Sequence, residues 1–155
     1  MSIKTTTHLN FHGTARLALG FYKSVFGGEV TLATYGDFGV PEGGAGANKI
    51  VFGQLENEDG FRLMAYDIPG QDDVDATATA GTTRRENGIT ITDRTFFQSV
   101  RANSLGEITA VWDGLSDGAM IVEPLAASAW TPGFGMLTDR FGITWVLDVQ
   151  VADRR

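Results

Sequence analysis

The chain has no cysteine. That removes disulfides, zinc fingers, iron–sulfur clusters and thiol nucleophiles, and it suits a reducing compartment. Proline is scarce, at 4 of 155 residues, and histidine scarcer, at 2. Positive charge is also short: 12 Lys+Arg face 19 Asp+Glu, a formal net charge of −7. The only basic doublets, Arg84-Arg85 and Arg154-Arg155, read as solvated surface. Holding a phosphate backbone needs clustered cations, so no nucleic-acid partner is expected. No apolar run approaches the ~20 residues that span a bilayer. The opening Met1-Ser2-Ile3-Lys4-Thr5 lacks the apolar stretch of a secretion signal. No membrane is expected, and a cytoplasmic location is. A chain of 155 residues fits one domain, or two small halves sharing a core.

What the sequence does contain is periodic. Residues 5–11 alternate, with Leu9 and Phe11 on one side and His8 and Asn10 on the other, as in a half-buried strand. In GTARLALGFYKSVFGG the apolar residues Leu17, Phe21 and Val25 recur every four positions, flanked by Ala18 and Tyr22. This predicts a helix with that face buried. Thr14 is its expected N-cap, and Gly27-Gly28 its expected stop. Gly20 inside it is expected to allow close packing on a sheet. Strands are expected over 29–35, 48–56 and 61–66, the last two joined by a turn at Asn57-Glu58-Asp59-Gly60.

Residues 68–92 read as a polar connector, with a short strand near Ile89–Thr92. The pattern then returns. A strand is expected over 95–101, and Ser104 with Glu107 makes a capping box. Ile108, Val111, Trp112 and Leu115 mark a helix face ended by Gly118, and strands follow over 119–125, 134–139 and 143–150. Pro124 suits only a strand end or edge.

The chain thus reads as α+β, with two βαβββ units at about 5–67 and 93–151 around the connector at 68–92. Together the units are expected to form one curved mixed sheet with a concave cavity, where a small ligand would sit.

Few motifs carry chemistry. His8 and His12 are four apart, but four residues of strand span roughly 13 Å, too far for one ion. His12 is expected in solvent at the strand–helix turn. His8 shares a face with Asn10 and is expected to point into the cavity. Gly43 to Lys49 lacks the Gly-Lys-Ser/Thr ending of a phosphate loop and reads as a plain loop. No Rossmann glycine motif follows the first strand, and no nucleophile elbow occurs. Trp112, Trp130 and Trp145 read as core.

The stretch HLNFHGTARLALGFYKSVFGGEV resembles the opening of the vicinal oxygen chelate superfamily, which includes glyoxalase I, bleomycin-resistance proteins and extradiol dioxygenases. Phe21, Tyr22, Phe26, Gly27, Gly28 and Val30 resemble the helix end of its PhnB-like branch. So, near the other end, do Gly135, Met136, Asp139, Phe141, Gly142 and Trp145, with Phe134 where the branch has tyrosine. The resemblance covers nearly the whole chain and implies a glyoxalase-like fold.

Metal-dependent members of that superfamily use up to four inward His, Gln or Glu side chains. Carried onto this sequence, the four positions fall on His8, Met64, Thr95 and Val146. Three of these are poor donors for zinc, nickel, iron or manganese. Asp67 or Asp148 would enter only if the alignment slips. The resemblance therefore implies no metal and no cofactor, and nothing supports S-adenosylmethionine. The expected pocket is His8, Asn10, Arg62, Met64, Tyr66, Phe97, Thr144 and Asp148, lining a metal-free site for a small molecule. Two alternatives stand beside this: a metal-dependent lyase, isomerase or dioxygenase, and an enzyme in which His8 is the general acid or base, assisted by Asp148 or Tyr66. Relatives commonly form homodimers, so a homodimer is expected.

Overall fold

The computed structural model describes residues 3–70 and 82–151. They form two compact units, one within Met1–Val74 and one within Asp75–Arg155. The first runs β1 (Thr7–Phe11), α1 (Ala15–Phe26), β2 (Glu29–Thr34), β3 (Ile50–Glu56) and β4 (Arg62–Asp67). The second begins with a small hairpin, β5 (Arg84–Glu86) and β6 (Ile89–Ile91). It continues as β7 (Gln98–Ala102), α2 (Leu105–Leu115), β8 (Met120–Ala126), β9 (Phe134–Thr138) and β10 (Thr144–Val149). The order βαβββ therefore occurs twice, in an α+β chain.

The two sheets share one plan. The first is ordered β1-β4-β3-β2 and the second β7-β10-β9-β8. In each, the opening strand pairs parallel with the last strand of its repeat and the other pairings are antiparallel. His8 lies beside Met64 in the first parallel pair, and Ser99 beside Val146 in the second. The strand expected at 95–101 starts three residues later, at Gln98. Of the connector, residues 71–81 lie outside the described residues; its end forms the β5–β6 hairpin, which includes the strand expected near Ile89. Pro124 sits in β8, an edge strand, at a register irregularity, where its missing N–H costs no ladder bond.

The turns repeat as well. Asn57 accepts the amides of Asp59 and Phe61 on its Oδ1, at 2.9 and 3.0 Å, in the β3–β4 turn. Asp139 accepts those of Phe141 and Ile143 at 2.8 and 3.1 Å in the β9–β10 turn. Short Asx side chains satisfy turn amides in this way. The spare atoms differ. Asn57 Nδ2 donates to Phe26 O at the end of α1, whereas Asp139 Oδ2 accepts the Trp145 indole N–H at 2.8 Å. The Asp139–Trp145 motif is thus an internal brace on the core.

The buried face of α1 is rotated from the one expected. Ala15, Ala18, Leu19 and Tyr22 are buried, while Leu17 is 67% exposed. The small alanines let the helix come close to the sheet. Gly20 plays no part in that approach: it is exposed, and a Cβ there would meet nothing. The close approach is at Gly53, where a Cβ would lie 2.6 Å from Leu19 Cδ1. Gly135 holds the same place in the second sheet, 2.7 Å from Trp112 by the same measure.

The helix starts also differ. Thr14 makes no side-chain cap bond. Asp67 Oδ1 instead takes the amides of Gly13 and Ala15, at 3.1 and 2.9 Å, and its Oδ2 takes that of Ile50 at 2.8 Å. A carboxylate at a helix N-terminus satisfies open amides and favours the dipole. On α2 the expected cap holds, with Ser104 Oγ accepting the Glu107 amide at 3.2 Å. No helix among the described residues is long and apolar enough to cross a membrane.

Candidate functional site

Strand parity places alternate residues on opposite sheet faces. In the first unit Leu9, Ala65 and Gly53 share a register row and face α1. The residues between them therefore face away. His8, Met64, Gln54 and Thr31 make one row of that open face. Arg62, Glu56 and Glu29 make the row on one side, and Asn10 with Tyr66 lies on the other. Five of the expected pocket residues, His8, Asn10, Arg62, Met64 and Tyr66, are thus brought together on one face.

Their local bonds set the chemistry. His8 Nδ1 donates to Asn10 Oδ1 at 3.1 Å, because an amide oxygen can only accept. The bond fixes the ring and leaves Nε2 as the nitrogen that can take a ligand's proton. The Tyr66 ring stands edge-on to His8, with centroids 5.3 Å apart. Arg62 Nε donates to Thr6 Oγ1 at 2.6 Å. Gln54 Nε2 donates to Glu56 Oε2 at 3.2 Å. Gln54 was not among the expected residues. Reading β3 outward from Gly53 by parity finds it, once the register with Met64 is known.

The remaining expected residues, Phe97, Thr144 and Asp148, lie in the second unit. Thr144 is buried and its hydroxyl pairs with that of Thr138 at 2.7 Å. Asp148 takes a two-bond grip from Arg101, at 2.9 and 2.8 Å. That pair raises the Arg101 pKa, first through the hydrogen bond and then through the charge. Phe97 precedes β7 and lies outside the strand. Thr95 lies further out still, and the residue in register with Val146 is Ser99. The apolar positions at the strand's start hid this offset. Asp67 cannot serve the open face, because it points to the helix side and holds three amides. His12 is half-buried rather than in solvent, and its Nδ1 has neither partner nor solvent access.

The open face of the second sheet is also partly covered. Thr90 of the β5–β6 hairpin donates to Met136 Sδ at 3.6 Å. Arg85 lies over the Phe134 ring, 5.1 Å from its centroid, with Nε 3.9 Å from Glu123 Oε2. Phe134, Met136 and Glu123 all belong to that face by register with Val146 and Asp148.

A separate cavity of about 160 Å³ in the first unit is lined by Tyr35, Val40, Lys49 and Ile68, among others. Its polar groups are already bonded within the fold: Tyr35 OH donates to Asp67 O at 2.6 Å, and Lys49 Nζ to Gly13 O at 3.2 Å.

A family model described as Glyoxalase/Bleomycin resistance protein/Dioxygenase superfamily matches residues 11–147. The chain is similar to a Pseudomonas aeruginosa protein of known crystal structure at 25% identity and TM-score 0.73, covering 96% of this chain and 98% of that one. It shares its fold with the PhnB protein from Bacillus cereus, at 22% identity and TM-score 0.66, covering 96% and 100%. A glyoxalase/bleomycin resistance protein/dioxygenase from Nocardioides is similar at 18% identity and TM-score 0.52, covering 100% and 89%. No curated protein matches this chain to a significant degree.

Proposed function

Because the chain belongs to the Glyoxalase/Bleomycin resistance protein/Dioxygenase superfamily, we propose that it binds a small molecule on the open sheet face of its first repeat, without a resident metal ion. The observation that carries this reading is the row of His8, Met64 and Gln54 between Arg62 on one side and Asn10 with Tyr66 on the other. It offers an apolar and aromatic floor with a few polar anchors, the usual composition of a small-ligand site.

The metal-free part rests on donor chemistry. The two parallel pairs place His8 and Met64 in one repeat, and Ser99 and Val146 in the other, at equivalent positions. One imidazole, one thioether, one hydroxyl and one isopropyl group do not make a set for a catalytic divalent ion. Asp67 and Asp148, the two carboxylates a shifted alignment would supply, are bound to backbone amides and to Arg101.

The test is metal analysis and native mass spectrometry of the purified full chain and of His8→Ala. We expect sub-stoichiometric metal in both, and ligand adducts lost in the variant. Stoichiometric metal in the wild type that disappears in His8→Ala overturns the metal-free reading. A homodimer is part of the same proposal, and light scattering on the same sample is expected to give twice the chain mass of 16.6 kDa.

An enzymatic reading is favoured by one observation, the Nδ1 bond to Asn10 that orients His8 as a general base at Nε2. Turnover that depends on His8, in a screen of lyase, epimerase and ring-cleavage reactions, would decide for it.

A further inference from the structure

We propose that the ligand of this face is a small organic acid, with its anionic group held by Arg62 and a hydroxyl at its other end presented to His8. The inference rests on the reading of the face as a small-molecule site and adds the ligand's charge. It starts from an imbalance. Arg84, Arg85, Arg94, Arg101 and Arg140 each have a carboxylate within 4.0 Å. Among the described residues Arg62 has none, and neither does the exposed Arg16; Arg62, however, is half-buried and has Glu56 as its register partner.

The reason is local. Glu56 Oε2 is taken by Gln54 Nε2, and Arg62 is turned to Thr6 through its Nε. Its side chain is thus fixed at one nitrogen, with the terminal nitrogens of the guanidinium left to a ligand. A fixed guanidinium presents paired donors that match a carboxylate in geometry and charge.

The second anchor lies one row away. Arg62 is two residues before Met64 on β4, and Met64 is in register with His8. Two residues of strand and one strand spacing separate Arg62 from His8 by about 8 Å, a span that one aromatic or short-chain acid can bridge. Between and beside them lie Met64 and the Tyr66 ring, which suit an apolar body. His8 Nε2, the nitrogen not bonded to Asn10, can accept a hydrogen bond from a hydroxyl there.

The test uses the full chain, labelled with ¹⁵N and titrated with 4-hydroxybenzoate, benzoate and the neutral 4-hydroxybenzamide. We expect 4-hydroxybenzoate to shift the amides of β1 and β4, and the amide analogue to bind at least ten-fold more weakly. Arg62→Gln is expected to remove that difference, and Arg62→Lys, which keeps the charge, to retain most of it. His8→Gln is expected to remove the preference for 4-hydroxybenzoate over benzoate while keeping the preference for acids over the amide. If acid and amide shift the face equally, or the acid binds only elsewhere, the charge assignment is overturned while small-molecule binding stands. If no probe shifts the face, the binding reading falls with it. The lysine variant keeps the test open should Arg62→Gln fail to fold.

Discussion

In the first repeat the row facing away from the helix reads His8, Met64, Gln54 and Thr31; in the second it reads Ser99, Val146, Met136 and Glu123. The next row sets Asn10 and Tyr66 against Arg101 and Asp148, and the row on the other side sets Arg62 against Thr144. The registers of β1, β4 and β3 match those of β7, β10 and β9, down to the glycines at 53 and 135 and the Asx turns at 57 and 139. The side chains of the open face do not. In the second repeat they satisfy one another, Arg101 with Asp148 and Thr138 with Thr144, and a hairpin lies over part of them. In the first repeat, among the described residues, Arg62 pairs with no carboxylate and His8 keeps one ring nitrogen unbonded. Backbone geometry and face chemistry are therefore separable: the same register supports a self-satisfied surface in one repeat and a receptive one in the other.

The sharpest way to stress this comparison is at the helix starts, where the two repeats solve one problem differently. Asp67 is 2% exposed and takes three amides, while Ser104 is exposed and takes one. Asp67→Ala is expected to cost about 3 kcal/mol, since it strands two buried donors and one part-buried donor at about 1 kcal/mol each. Ser104→Ala is expected to cost about 1 kcal/mol. Urea unfolding followed by far-ultraviolet circular dichroism checks both. Equal losses would mean that the two caps are energetically equivalent, against the contrast drawn here.

A smaller effect is expected at the hairpin. Arg85→Ala removes the contact over Phe134 and the bond from its Nη1 to Thr90 Oγ1. A cation over a ring and one hydrogen bond contribute about 1–2 kcal/mol together. Faster amide hydrogen exchange is expected in β5, β6 and β9, with no change in β1 or β4. Unchanged exchange throughout would show that the hairpin is not held by this residue.

The smallest effect is a pH dependence in the first repeat alone. Burial, and then the nearby Tyr66 and Asp67, push the Tyr35 phenol above its ordinary 10.0. A pKa raised in the folded state means that this contribution is full below the unfolded value and is lost as pH rises through the folded one. The wild type is therefore expected to weaken above pH 10.0, and Tyr35→Phe to decline less steeply over the same range. Urea midpoints measured across that range decide it; parallel curves would remove Tyr35 as the cause.

Much of this was legible in the linear pattern, because alternation, four-residue spacing and turn glycines are local properties of a chain. They located both βαβββ units, the Ser104 cap and the parity that groups His8 with Asn10, and they placed Arg62, Met64 and Tyr66 on a common face. The misreadings share a cause. Leu17 looked buried because spacing records periodicity and not the depth of the surface beneath, which Gly53 and Ala65 set. Thr95 stood in for Ser99 because a strand's start is marked weakly where apolar residues precede it.

The sequence by itself determined the repeated order of elements, the absence of cysteine and the scarcity of histidine, since these depend only on residue type and spacing. Tertiary structure alone decided which polar groups are already engaged. That Asp67 holds a helix start and that Arg101 takes Asp148 both depend on partners brought together across many residues of chain. Hydrogen bonding is a property of distance and direction in space, and spacing along the chain does not encode either across such separations.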